Sequence, residues 1–119
     1  MNQILQWIVY KGKRTLIVDY TNLNEAEILQ AIEDTKQEFL RLPAGTRADS
    51  ITIMANTRTT SAISTKAKEM LQATRDRQGH AAVVGLGGFQ KAIAQLINRD
   101  FYIADSVEDA KEWLARQVS

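Results

Sequence analysis

The stretch Val83-Val84-Gly85-Leu86-Gly87-Gly88-Phe89 places glycines where an apolar run gives way to an amphipathic one. A Gly-x-Gly between a strand and a helix lets backbone amides approach a pyrophosphate at the helix start. Asp105 stands 20 residues after Gly85, the spacing of an acid that binds a ribose. Two features oppose a dinucleotide site. Gln90 occupies the position where the third glycine of the fingerprint lets helix close on strand, and one βαβ unit alone follows the turn. What remains is a tight turn that glycine permits, or a looser anion site at Gly87 and Gly88. A second polar bend, Asn56-Thr57-Arg58-Thr59-Thr60-Ser61, leads into an amphipathic run. A phosphate on Thr59, Thr60 or Ser61 would meet free amides and the positive end of the helix dipole, and Arg58 would add a charge-assisted contact. Helix capping by Thr and Ser is the plainer role for the same residues.

Single residues add little chemistry. His80 is the only histidine, so no second imidazole is present for zinc, and beside Gly79 it reads as a turn residue. Asp19 ends an apolar run at the place where open α/β sheets bind ligands, yet an acid there also caps a bend such as Thr21 to Asn24. Trp7, Phe39, Phe89 and Trp113 read as core or interface aromatics. The chain has no cysteine, which removes disulfides, thiolate metal sites and a thiol nucleophile together. No complete catalytic constellation is present, and the expectation is a non-enzymatic protein without metal or cofactor.

These residues are held by a regular alternation of elements. Ile4 to Tyr10 and Thr15 to Tyr20 flank Lys11-Gly12-Lys13-Arg14 and predict a hairpin. Asn24 with Glu27 forms a capping-box pattern ahead of a helix whose stripe is Ile28, Leu29, Ile32, Phe39 and Leu40, ending before Pro43. Ser50 to Ala55 predicts a third strand. Ser61 to Gln78 predicts a second helix with Ile63, Ala67, Met70, Leu71 and Thr74 on one face and Gly79 as its stop. Ala81 to Leu86 predicts a fourth strand, Phe89 to Ile97 a third helix, Phe101 to Ala104 a fifth strand, and Ser106 caps a last helix containing Val107, Ala110, Trp113 and Leu114. The order ββαβαβαβα predicts an α/β domain over residues 1–119, with a mixed, mostly parallel sheet of about five strands and four helices, the first strand antiparallel at an edge.

Composition sets the boundaries of function. With 119 residues, 45% hydrophobic and 24% charged, the chain suits one globular domain. A formal net charge of +1 gives no electrostatic reason to expect nucleic acid as a partner. No apolar stretch approaches the ~20 residues of a membrane helix, and Met1 to Gln6 lacks the pattern of a signal peptide. A soluble, cytoplasmic protein is expected.

Tyr10-Lys11-Gly12-Lys13, Asp19-Tyr20-Thr21-Asn22-Leu23, Ala82-Val83-Val84-Gly85-Leu86 and Asp105-Ser106-Val107-Glu108-Asp109-Ala110-Lys111-Glu112-Trp113-Leu114 together resemble the SpoIIAA-like branch of the STAS fold. The resemblance implies a regulatory module of the anti-sigma-factor-antagonist type. Such a module binds a protein partner or a small apolar or anionic ligand at the carboxyl ends of its strands, where Asn22, Asn56, Thr57, Arg58, Ser61, Gly87 and Gly88 would form the rim. A hydrophobic pocket between helices and sheet is a variant of this reading. The bend at residues 56–64 lacks the Asp-Ser-x-Gly phosphoacceptor motif of classical STAS regulators. The alternatives are a nucleotide- or phosphate-binding enzyme using Gly85 to Gly88, and a homodimer formed through Ile4, Trp7 and Val9 of the first strand.

Overall fold

Lys11 and Gly12 both take positive φ, 49° and 81°, as a two-residue type I′ hairpin loop requires. They join strand β1 (Leu5–Tyr10) to β2 (Lys13–Asp19) in antiparallel register, Tyr10 facing Lys13 and Leu5 facing Val18. The computed structural model describes residues 4–54, 60–85 and 101–117. Helix α1 (Glu25–Leu40) begins at Asn24. The Asn24 side chain accepts the Glu27 amide at 2.8 Å, and the Glu27 carboxylate accepts the Asn24 amide at 3.0 Å. This reciprocal box satisfies two of the free amides at the helix start. Strand β3 (Ala48–Ile53) follows, then helix α2 (Ser61–Ala73), a 3₁₀ turn (Arg75–Arg77), strand β4 (Gln78–Val84), strand β5 (Tyr102–Ala104) and helix α3 (Val107–Arg116).

The five strands lie in the order β1-β2-β3-β4-β5, with β1 antiparallel to β2 and all later neighbours parallel. The mixed sheet and its antiparallel edge strand match the expectation. Three α-helices occur among the described residues; the expected helix at Phe89 to Ile97 lies outside them.

Side chains alternate between two covered faces. On one, Leu16, Val18 and Ala48 join Ile28, Ala31, Ile32 and Phe39 of α1 and Ile63 of α2 in a buried cluster. On the other, Ile51, Ala82, Val84 and Ala104 pack beneath Ala110 and Leu114 of α3. The stripe of α1 differs by one position at its end. Leu40 is 39% exposed, because residues 28, 32, 35 and 39 stay on one side of a 3.6-residue helix and residue 40 is turned about 100° from 39.

The second helix is shorter than its apolar pattern implies. It ends at Ala73, where Thr74 leaves the helical region (φ −114°, ψ 16°) and its hydroxyl donates to the Met70 carbonyl at 2.8 Å. Gly79 is therefore no helix stop, and His80 no turn residue: both belong to β4. Between β3 and β4 the register slips, with Ala48 facing Gln78 but Ser50 facing Ala81. A Cβ on Gly79 would fall on the Asp49 carboxylate and lie 3.1 Å from the Ala48 carbonyl oxygen. The glycine serves close approach here, a need that leaves no trace in helix periodicity.

Candidate functional site

The central strand β3 turns Ile51 toward α3 and turns Ser50 and Thr52 toward α1 and α2. A cavity of about 130 Å³ lies between those helices and the sheet. Ile32, Thr35 and Phe39 of α1, Ala67, Met70 and Leu71 of α2, and Val18, Ala81 and Val83 of the strands line it. Tyr20 and Met54 line it at the carboxyl ends of the strands, and Gln78 and Phe101 at the amino ends. Its size is close to that of a ~150 Å³ apolar cavity that accommodates benzene.

No charged side chain lines the cavity among the described residues. Most of its polar groups are engaged within the wall. The Thr35 hydroxyl donates to the Ala31 carbonyl at 2.7 Å, and the Gln78 amide nitrogen donates to the Thr74 hydroxyl at 3.0 Å. Burial pushes the Tyr20 phenol far above its ordinary pKa, with its hydrogen bond to Thr35 acting in the opposite direction. Ser50 and Thr52 differ: no hydrogen bond joins either hydroxyl to another described residue, and neither oxygen is fully enclosed. Ser50 is nonetheless only 9% exposed. On the solvent side, Lys66 of α2 pairs with Glu33 of α1 at 3.2 Å. Glu33 is held below the ordinary glutamate pKa by its hydrogen bond from Gln37 first and by Lys66 second.

A second cluster lies under α3. The Trp113 ring stacks on Tyr102 with centroids 4.8 Å apart and planes 6° from parallel, and meets the edge of His80 at 6.0 Å. The Tyr102 phenol donates to Asp109 at 3.0 Å, and that hydrogen bond leads the raising of its pKa. His80 Nδ1 lies 4.0 Å from the Asp49 carboxylate. The Tyr10 phenol and the Lys11 ammonium both reach Glu112, and the Lys13 ammonium donates to the Gln117 carbonyl. These contacts fasten α3 to the sheet and to the hairpin.

The rim residues read from the sequence are dispersed. Asn22 is exposed in a bend at φ 61°, a conformation asparagine tolerates. It follows the turn that Asp19 closes by accepting the Thr21 amide at 2.9 Å. The Thr60 hydroxyl accepts the Ile63 amide at 3.3 Å as the N-cap of α2, and Ser61 is exposed beside it. None of the three lines the cavity. Asn56, Thr57, Arg58, Thr59, Gly87 and Gly88 lie outside the described residues. Sequence reasoning missed Tyr20, Thr35, Ser50, Thr52 and Gln78 as lining residues. The signal for two of them was present, since Ser50 and Thr52 put hydroxyls on one face of a strand that has helices over both faces.

Among the described residues no helix is long and apolar enough to cross a membrane. Comparison of the chain with protein-family models, with curated proteins and with solved structures finds no match.

Proposed function

We propose that this protein is a small non-enzymatic binding module, of the kind its resemblance to SpoIIAA-like STAS proteins implies, and that it takes a small, largely apolar ligand between α1, α2 and the sheet. One observation carries this reading: a cavity of about 130 Å³ whose lining, among the described residues, is mainly apolar. The cavity is partly open to solvent, and the apolar side chains that face it go without the dispersion contacts and burial that a packed interior gives. A ligand restores those contacts. Met54 and Met70 in the wall suit this role, because thioether side chains adapt to shapes that branched residues reject. In this reading a ligand bound beneath α1 and α2 acts as the regulatory signal, and a protein partner in the cytoplasm reads the outer surface.

Thermal unfolding with a panel of benzene-sized apolar compounds, together with methyl spectra of Met54 and Met70, tests the proposal. Stabilisation that saturates with concentration and moves both methyl signals is expected. A panel in which no compound changes either readout removes the binding function.

A further inference from the structure

Building on the proposed cavity function, we infer that the ligand is an uncharged molecule of about six to eight heavy atoms carrying one hydroxyl or carbonyl, and that Ser50 and Thr52 hold this polar atom. Size follows from the cavity, about 130 Å³ against the ~150 Å³ that accommodates benzene.

Polarity follows from the two hydroxyls. Ser50 and Thr52 are the residues of β3 that face the cavity from the middle of the sheet, flanked by Val18 of β2 and by Ala81 and Val83 of β4. Neither hydroxyl oxygen is sealed from the cavity, so each is open to a molecule inside it, and apolar residues at both positions would complete an apolar wall. Two unpartnered hydroxyls on the same strand face therefore mark where a polar atom is received. Same-face neighbours on a strand are about 6.6 Å apart. Two hydrogen bonds of about 2.8 Å to one oxygen span at most about 5.6 Å, so the ligand oxygen bonds either hydroxyl, or both where their χ1 rotamers lean together.

Neutrality follows from what the lining lacks. No lysine, arginine, histidine or carboxylate lines the cavity among the described residues. An ion entering it would lose part of its hydration with no countercharge from the described residues in return. Serine and threonine can both donate and accept, so they serve a ligand hydroxyl or a carbonyl equally, which an ammonium or carboxylate site would not.

Three probes of equal heavy-atom count separate these claims: cyclohexanol, methylcyclohexane and cyclohexylamine, which is a cation at pH 7. Affinities are read from amide and methyl shifts of the wild type and of the Ser50→Ala/Thr52→Val variant, whose unliganded melting curve confirms folding. Thr52→Val keeps the side-chain shape. The expected result is that the variant loses about ten-fold in affinity for cyclohexanol, the worth of one to two hydrogen bonds, while methylcyclohexane binds as before or more tightly. Cyclohexylammonium does not bind the wild type. If both neutral probes respond alike to the variant, or if the cation binds as well as the alcohol, this inference is overturned and the apolar binding function stands. If neither neutral probe binds the wild type, the binding function itself fails and this inference falls with it.

Discussion

The Asp49 carboxylate accepts the backbone N–H of His80 at 2.9 Å, at the point where β4 gains one residue on β3. A bulge leaves ladder groups unpaired, and here a side chain from the neighbouring strand takes the place of the missing carbonyl. Gly79 makes the arrangement fit, because its hydrogen lies where any other residue would press a Cβ onto that carboxylate. Gly79→Ala is expected to destabilise the protein by about 1–3 kcal/mol, as overpacking does. Asp49→Ala strands the His80 amide, at about the same cost. The double variant has no carboxylate for the Cβ to strike, and keeps only the 3.1 Å approach to the Ala48 carbonyl oxygen, so it should lose less than the sum of the two. Urea unfolding of the four proteins measures the cycle, and strictly additive losses would show that the two residues act independently.

The anchoring of α3 on the hairpin predicts a dependence on acid. Glu112 is held below the ordinary glutamate pKa by its hydrogen bond to Tyr10 first and by Lys11 next. A lowered folded-state pKa means that this contribution is present above the ordinary value of about 4.3 and fades as pH falls through the folded value. Glu112→Gln should therefore melt below the wild type at pH 7, with the gap closing toward pH 3. The pair is exposed, so the gap should also shrink in high salt. A gap unchanged between pH 7 and pH 3 would mean that the charge of Glu112 plays no part in the contact.

Elements with local causes were legible in the sequence. The Asn24–Glu27 box, the Ser106 cap and the bend closed by Asp19 each depend on residues within a few positions of one another and stand where the sequence puts them, and so does the hairpin, although its loop is the two residues Lys11-Gly12 and the expected loop residues Lys13 and Arg14 belong to β2. Gly79 misled because its reason is a carboxylate 30 residues away in the chain. A helix-stop signal and a close-approach signal are the same letter. The cavity was illegible for a related reason. Ile32, Phe39, Met70 and Val83 would be chosen identically to fill a core or to surround a void, and only packing decides which. The segments Asn56 to Ser61 and Gly85 to Gly88 drew notice because glycine and hydroxyl runs are conspicuous, whereas Ser50 and Thr52 were only two polar letters of an expected strand. Their meaning depends on α1 and α2 lying over that face, which is a property of the assembled layers.

Tyr20 predicts a dependence at the alkaline end. Burial raises its phenol pKa far above the ordinary value of about 10. For a group whose folded-state pKa is raised, stability is fully present below the unfolded pKa and is lost as pH rises toward the folded value. Unfolding in alkali should therefore begin near pH 10 and proceed together with ionisation of Tyr20. Tyr20→Phe removes the group that ionises. Its stability should fall less steeply above pH 10. Phenolate absorbance and circular dichroism followed together measure both. Ionisation of all three tyrosines with no loss of structure would contradict the burial of Tyr20.

Filling the cavity should trade binding for stability. Ala67 lies on α2 with its side chain in the cavity wall and against the core cluster of α1 and the sheet. Ala67→Leu adds three carbons to that wall at a helix position that either residue suits. The added methyls occupy space within the roughly 130 Å³ void, so they gain dispersion contacts without displacing packed atoms. The expected gain is about 0.5–2 kcal/mol in urea unfolding, the usual range for cavity filling. The same substitution should abolish the thermal shift produced by cyclohexanol, because the volume it takes is the volume the ligand needs. Leucine at an exposed helix position would change neither readout, which makes Glu69→Leu, on the outer face of the same helix, the appropriate control. A variant that is stabilised yet still binds cyclohexanol at wild-type affinity would place the binding site somewhere other than the space between α1, α2 and β3.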